Sequence, residues 1–308
     1  LFLLKKQEIV NFRSFAEDYI NAGGSLEQGF VNLLPSKDVQ KNQTNKGFLQ
    51  NKNEELDQEE KKINEINTED SGFKSQVHNL IKEYEKKGTN FQDSDFKHEL
   101  SSICELEQHK YISYFKEAVW KRPHEILEVG YDQIKLFDGI EPNDILQGGL
   151  GVCYMLSSLS SIAEYPTRLR KIFVNNNANS KGVYGLRFFD DGVPIELVID
   201  DYFPCDPETN GPLFSQPKGN ELWAMLAEKA WGKLFKNYTA AEAGWNSEAY
   251  ENLLGCPSRL YSIEDETEDE TFERLTHADK NKFFMGASTK SEVDEKKTGL
   301  IQEQDRKS

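Results

Sequence analysis

A glutamine and a cysteine lie six residues apart in the glycine-rich segment QGGLGVCYML, residues 147–156. If Cys153 opens a helix, the unpaired N–H groups and the positive end of the helix dipole favour its thiolate, which is the nucleophilic form. Gln147 would then add an amide donor for the oxyanion of an acyl-transfer reaction, beside the backbone N–H of the cysteine. The alternative is a small buried cysteine in a glycine-rich turn.

Two helices and a hairpin are predicted around this segment. Apolar residues at helical spacing predict a helix over about 153–164 that ends before Pro166. The runs GVYGLRFF and VPIELVIDDYF, with an Asp-Gly pair between them, predict a β-hairpin. Asn220 offers an N-cap for a second helix in ELWAMLAEKAWGKLFK. The predicted class is α+β, with a mostly helical region around the cysteine.

Charge and cysteine usage restrict the function classes. A formal net charge of −16 argues against a nucleic-acid or anionic-membrane partner, because both require clustered Lys and Arg, but it is compatible with cation binding. No apolar run approaches the roughly 18 to 20 residues of a membrane span, so no transmembrane segment is predicted. The four cysteines form no CxxC pair, which favours reduced thiols in a cytoplasmic, intracellular protein.

Composition divides the 308 residues into three parts. Residues 1–108 form a predicted N-terminal extension, in which the polar stretch at about 35–75 is too poor in apolar residues to order itself and is interpreted as a linker. Residues 109–254 are dense in apolar positions and contain Cys153. Apolar density falls again over 255–308, where the acidic run EDETEDE at 264–270 predicts a solvated loop, with a calcium-attracting loop as the alternative.

Several blocks of the sequence resemble, in the same order, those of the calpain family of calcium-dependent cysteine proteases. The segment QGGLGVCYMLSSLSSIA is similar to the active-site segment of that family. The other similar blocks are WKRPHEI at 120–126, NDILQG at 143–148, PIELVIDDYFP at 194–204, GNELWAMLAEKAWGKL at 219–234 and EAYENLLG at 248–255. The resemblance therefore covers roughly residues 120–255 and does not depend on one motif.

The resemblance implies a papain-like protease core of two subdomains, one with the cysteine and the other with a His and an Asn. It makes Cys153 the nucleophile and Gln147 the oxyanion-hole donor. It makes residues 109–254 the cysteine-bearing subdomain and residues 255–308 the incomplete start of the second one. Protein substrates follow from the same resemblance.

A calcium site in the first subdomain is also implied by the resemblance. Its ligands would be the carboxylates of Asp144 and Glu221 and the backbone carbonyls of Phe137 and Gly139, a mixture of oxygen donors that suits Ca²⁺. Without the resemblance, Asp144 is interpreted as a turn residue and Glu221 as a first-turn helix residue favoured by the dipole.

The base that would activate the cysteine is not recognisable in this sequence. The family's His and Asn lie in Gly-His-Ala-Tyr and Asn-Pro-Trp types of motif, and neither occurs here. Four of the five histidines precede Cys153, and His277 in RLTHADK lacks the expected neighbours. We therefore expect that the chain is truncated before the His and the Asn. Because loss of the base can cost on the order of 10⁶ in rate, we also expect that this chain alone hydrolyses no peptide.

Two functions follow from these features. The first is calcium-dependent endopeptidase activity, performing limited proteolysis of intracellular proteins. The alternative is a non-catalytic calpain homologue that acts as a calcium-regulated protein-binding module.

Overall fold

The computed structural model describes residues 72–105, 109–262 and 265–287. Of the described residues, those up to Ser258 belong to the larger of two compact units, and those from Arg259 onward belong to the smaller one. The predictions for residues 1–71, which include most of the linker at about 35–75, lie outside the described residues, whereas residues 72–75 belong to a helix rather than to a linker.

The larger unit combines helices with two small antiparallel sheets, which confirms the predicted α+β class. Its helices are α1 (Gly72–Lys87), α2 (Leu100–Ile103), α3 (Ile112–Phe115), α4 (Pro123–Leu127), α5 (Cys153–Ala163), α6 (Pro166–Arg170), α7 (Trp223–Leu234) and α8 (Asn246–Leu254). Its strands are β1 (Val119–Lys121), β2 (Tyr184–Asp190), β3 (Val193–Ile199) and β4 (Phe203–Cys205).

The predicted hairpin is formed by β2 and β3. Tyr184 lies opposite Ile199 and Asp190 opposite Val193, so the two strands are in register from end to end. The connecting residues Asp191 and Gly192 both have positive φ angles, 47° and 76°. An Asp-Gly pair suits such a turn, since Gly carries no Cβ and Asp tolerates the left-handed region.

Two helices form the centre of the larger unit. In α5, which begins at Cys153 as predicted, every residue from Tyr154 to Ala163 is buried. In α7, both Trp223 and Trp231 are buried, together with the residues between them. A helix that is buried on all faces lies in the interior of its domain, and this packing holds the first turn of α5 in place.

The start of α7 differs from the prediction. Asn220 is not its N-cap, because the helix begins at Trp223 and Leu222 occupies the cap position. The Asn220 carbonyl instead accepts the Lys135 N–H at 2.9 Å, and the Leu222 N–H donates to the Lys135 carbonyl at 3.1 Å. These bonds tie residues 220–222 to a distant segment, and the helix begins only at Trp223.

Residues 72–105 pack into the same unit as the cysteine. Phe73 and Val77 of α1 form a buried cluster with Val183, and the Asp93 N–H donates to Asp200 Oδ2 at 2.7 Å. These contacts join residues 72–105 to the region that carries Cys153, and the boundary at 108 stays a prediction. The helical pattern from Val77 to Tyr114 indicates Ile103 among its candidate packing positions, and Ile103 is buried, whereas the burial of Phe73 was not indicated.

In the smaller unit, helix α9 (Glu268–Lys280) replaces part of the predicted loop at 264–270. Thr267 caps the helix by accepting the Glu270 N–H at 3.3 Å, and Glu268, Asp269 and Glu270 occupy its first turn. Acidic residues at this end are favoured by the helix dipole, so this run suits a helix start. Within the described ranges of the chain, no helix is long and apolar enough to cross a membrane.

Candidate active site

Cys153 is the first residue of α5 and is exposed, while the rest of the helix is buried. Val152 occupies the N-cap position and provides no side-chain acceptor for the first N–H groups of the helix. Such N–H groups have no partner inside the helix, so they are suited to bind an oxyanion beside the thiol. The structure thus presents the thiol at a positive helix end and rejects the alternative of a buried cysteine.

The loop before Cys153 is held on one side by the segment 213–216. The Gly149 N–H donates to the Leu213 carbonyl at 3.0 Å, and the Gln216 N–H donates to the Leu146 carbonyl at 2.8 Å. Between these bonds, a Cβ added at Gly148 would lie 1.9 Å from the Phe214 carbonyl oxygen. A glycine is required there, because the two backbones approach too closely for any side chain.

The segment 241–243 holds the other side of the loop. The Gly151 N–H donates to Glu242 Oε1 at 3.1 Å, and the Ala243 N–H donates to the Gly151 carbonyl at 3.1 Å. The Tyr154 hydroxyl, one residue after the thiol, donates to the Ala241 carbonyl at 2.9 Å. The backbone around Cys153 is therefore fixed by contacts from two distant parts of the chain.

Gln147 lies on the surface of the same loop. Its Nε2 donates to the Leu150 carbonyl at 2.9 Å, which orients the side chain within the loop. An amide nitrogen carries two N–H groups, so this bond leaves a second donor. The assignment of Gln147 as the oxyanion-hole donor stays a prediction.

The other three cysteines differ from Cys153 in their surroundings. Cys104 and Cys205 are buried, and Cys256 is partly buried. Burial raises the pKa of the Cys205 thiol to about 12 and also raises the pKa of Cys256. Because the thiolate is the nucleophile, these environments disfavour reaction at Cys205 and Cys256.

Asp144, the first predicted calcium ligand, is buried in the short turn Pro142–Asp144. Its Oδ2 accepts the Glu141 N–H at 2.6 Å, and its Oδ1 accepts the Lys218 ammonium at 2.9 Å. Asp144 is therefore a turn residue, as interpreted without the resemblance. Its carboxylate binds the positively charged ammonium of Lys218. Lys218 itself was not singled out from the sequence.

Glu221, the second predicted ligand, is buried and precedes helix α7, so it is not a first-turn helix residue. Its Oε1 accepts the Asp138 N–H at 2.6 Å, which places it against the residue between Phe137 and Gly139. Burial raises the pKa of Glu221 to about 7, and the negative charge of Asp144 adds to this effect. Asp144 and Glu221 are thus close enough to interact electrostatically.

The donor set around these residues suits a hard cation. Carboxylate and carbonyl oxygens are the ligands that Ca²⁺ prefers, and a cation would offset the negative charge of Asp144 that contributes to the raised pKa of Glu221. Over residues 72–105, 109–262 and 265–287, no group of three or more His, Cys, Asp or Glu side chains is arranged to hold a metal. The predicted set contains only two acidic side chains and depends on backbone carbonyls for the rest.

Among the histidines, His109 has a side-chain partner in the segment beside the cysteine loop. Its Nε2 lies 3.4 Å from Glu242 Oε2, and its Nδ1 accepts the Tyr111 N–H at 3.3 Å. Both ring nitrogens are engaged, so the structure does not present His109 as a general base. The contact with Glu242 spans 133 positions of sequence, and no local pattern indicated it.

Comparison with known proteins places these features in a family. A profile described as "Calpain family cysteine protease" matches residues 91–305. The chain is 28% identical over 224 residues to the calpain-type cysteine protease ADL1 of Oryza sativa subsp. japonica. It is 30% identical over 181 residues to the calpain-2 catalytic subunit of Homo sapiens, and 32% identical over 237 residues to a calpain of Schistosoma mansoni.

These matches cover 69%, 57% and 73% of this chain, respectively. They correspond to only 10%, 25% and 30% of the relatives' own lengths. The profile, in contrast, spans most of the chain and includes the exposed thiol, its glycine loop and the segments that hold them. The chain therefore belongs to the calpain family of cysteine proteases.

Proposed function

We propose that this chain supplies the nucleophile-bearing part of a calcium-dependent endopeptidase that cleaves intracellular proteins at limited sites. The observation that carries the proposal is the exposed thiol of Cys153 at the start of a buried helix. Proteins as substrates follow from the family, and a cytoplasmic location is proposed from the reduced cysteines.

In the proposed reaction, the Cys153 thiolate attacks the carbonyl carbon of a peptide bond. The oxyanion that forms is stabilised by the backbone N–H at the start of α5 and by the Gln147 amide. The exposed glycines at 149 and 151 leave room for an extended substrate backbone to approach the thiol. The family's histidine would take the thiol proton, and no histidine of this chain is assigned that role.

Selective alkylation tests the nucleophile. With iodoacetamide at pH 7.5, Cys153 is expected to react at least about tenfold faster than Cys205 or Cys256, because it is exposed and their thiol pKa values are raised by burial. The measurement is a time course of modification at each cysteine by peptide mass spectrometry.

The internal control is the same experiment in denaturant, where the four cysteines should react at similar rates. Equal rates in the folded protein would contradict the assignment of Cys153. That outcome would favour the non-catalytic, protein-binding alternative.

For calcium, we propose that Asp144 and Glu221 hold the ion with the carbonyls of Phe137 and Gly139. When bound, the ion would neutralise two buried carboxylates and link the segment before Gln147 to the start of α7. Lys218 already supplies one positive charge to Asp144. The ammonium and the ion therefore compete for the same carboxylate.

Removing this competitor should strengthen calcium binding. The Lys218→Met variant is expected to bind Ca²⁺ about fivefold more tightly than the unsubstituted protein, because Asp144 loses its ion-pair partner. Calorimetric titration of the whole chain measures the dissociation constant directly.

Lys87→Met is the matched control, since it also removes one positive charge but from a surface pair with Glu83 on α1. Its affinity should equal that of the unsubstituted protein. Asp144→Asn should abolish binding at this site in either background. If neither the Lys218→Met nor the Asp144→Asn substitution changes the calcium affinity, calcium binds at another site.

A further inference from the structure

The carboxylate of Glu242 lies at the edge of the cysteine loop. Its Oε1 accepts the N–H of Gly151, two residues before Cys153. Its side chain is 29% exposed, so the carboxylate is held by the loop and is also open to solvent. This places an acidic group next to the nucleophile that none of the mechanistic roles above uses.

The residues after Glu242 are exposed and contact Gly151 and Tyr154, which lie on either side of the thiol in the chain. Residues 243–245 are exposed, and the backbone of Ala243 is bonded to Gly151. A Cβ added at Gly244 would touch the ring of Tyr154, the residue that follows Cys153. A peptide that reaches the thiol between the exposed loop and this segment must pass close to Glu242.

His109 and Glu248 are ionisable side chains that contact Glu242 or the segment that follows it. His109 faces Glu242 from the other side, with Nε2 3.4 Å from Oε2. Glu248, at the start of α8, accepts the Trp245 N–H at 3.2 Å. Burial raises the pKa of the Tyr154 hydroxyl, and the nearby charge of Glu248 contributes to this rise. The carboxylates of Glu242 and Glu248 therefore lie beside Gly151 and Tyr154, which flank Cys153 in the chain.

We propose that Glu242 is a specificity-determining residue, which favours substrates with an Arg or Lys side chain close to the bond that is cleaved. This inference rests on the proposed function, because it assumes that peptides reach Cys153. A partly exposed carboxylate beside the nucleophile loop attracts a cationic side chain and disfavours an acidic one. A substrate's guanidinium could bind the solvent-facing lone pairs of Glu242 while the Gly151 N–H keeps its bond.

Two bromoacetyl peptides, identical except for Arg in one and its uncharged isostere citrulline in the other, test this charge preference. Each alkylation rate at Cys153 is divided by the rate of iodoacetamide with the same variant, which removes differences in thiol reactivity. The Arg peptide is expected to react about two- to threefold faster at low salt, and this preference should fall in 1 M NaCl.

In the Glu242→Gln variant the ratio of the two peptide rates is expected to fall to about one, because the amide oxygen can still accept the Gly151 N–H but carries no charge. Glu83→Gln, which removes one negative charge from α1, should retain the preference. An unchanged ratio in Glu242→Gln, or an equal fall in Glu83→Gln, would overturn the proposal.

The iodoacetamide rate separates this result from a failure of the proposed function. If Cys153 reacts with iodoacetamide but the peptide ratio ignores Glu242, only the specificity inference fails. If Cys153 does not react with iodoacetamide, the nucleophile assignment fails and the specificity inference falls with it.

Discussion

Replacing Lys229 with methionine is expected to lower the free energy of unfolding by about 3 to 5 kcal/mol, the typical cost of breaking a buried ion pair from one side. The Lys229 ammonium donates to Asp200 Oδ1 and to the Tyr202 carbonyl, each at 2.5 Å. Both side chains of the pair are fully buried. Chemical denaturation followed by tryptophan fluorescence measures the change.

The cost is large because Asp200 would keep its charge in the interior. Burial alone would raise the pKa of Asp200, but Lys229 and His98 together hold it well below its ordinary value. His98 Nε2 lies 2.7 Å from Asp200 Oδ2, and the Asp93 N–H reaches the same oxygen. Without Lys229, these partners compensate only part of the desolvation of the carboxylate.

The double variant Asp200→Asn with Lys229→Met separates charge from packing. It should recover much of the loss, because it leaves no uncompensated buried charge. If the double variant is as unstable as the single one, the ion pair is not the cause.

The pH dependence provides a second check. A carboxyl group whose pKa is lowered by folding stabilises the folded protein at pH values above its unfolded pKa of about 4. This stabilisation is lost as the pH falls further. The difference in the free energy of unfolding between the unsubstituted protein and the Lys229→Met variant should therefore become smaller below about pH 4.

Replacing Gly148 with alanine is expected to have the second large effect, about 3 kcal/mol in stability, with a displaced cysteine loop. The new Cβ would lie 1.9 Å from the Phe214 carbonyl oxygen and 2.7 Å from the Phe214 Cα. Both atoms belong to the backbone, so the strain cannot be relieved by a rotamer change. Gln147 immediately precedes the substituted position, and its orientation should change with the loop.

Gly151→Ala is the matched control in the same loop. Its Cβ would lie 3.5 Å from the Glu242 side chain, an ordinary contact, so stability should change little. Thermal unfolding and the rate of Cys153 alkylation are the two measurements. Equal effects of the two substitutions would show that the close backbone approach at Gly148 is not what positions the loop.

The sequence by itself determined the elements whose signals are local. Helix α5 begins at the cysteine because apolar residues repeat at helical spacing directly after it. The hairpin forms because two apolar runs flank an Asp-Gly pair that accepts positive φ angles. The blocks around Asp144, Gln147, Cys153 and Glu221 were sufficient to indicate the family, since its pattern lies within short segments.

Only the tertiary structure decided the features that depend on residues far apart in the chain. Helix α7 starts three residues after Asn220 because residues 135 and 136 bond to the intervening backbone. Residues 72–105 join the cysteine-bearing unit through contacts such as that of Asp93 with Asp200. Neither set of contacts is visible in the apolar periodicity of the sequence. The first is made by backbone groups, which every residue carries, and the second joins residues 107 positions apart.

The chemistry of the candidate site divides in the same way. Residue types and spacing were enough to propose Cys153 as a nucleophile and Gln147 as its amide donor, because both lie in one short loop. Folding alone brought Lys218 to Asp144 and Glu242 to Gly151, across 74 and 91 positions of sequence. Electrostatic attraction depends on the distance between charges in the folded protein and not on their separation in sequence. The partners of these carboxylates were therefore determined by how the chain packs.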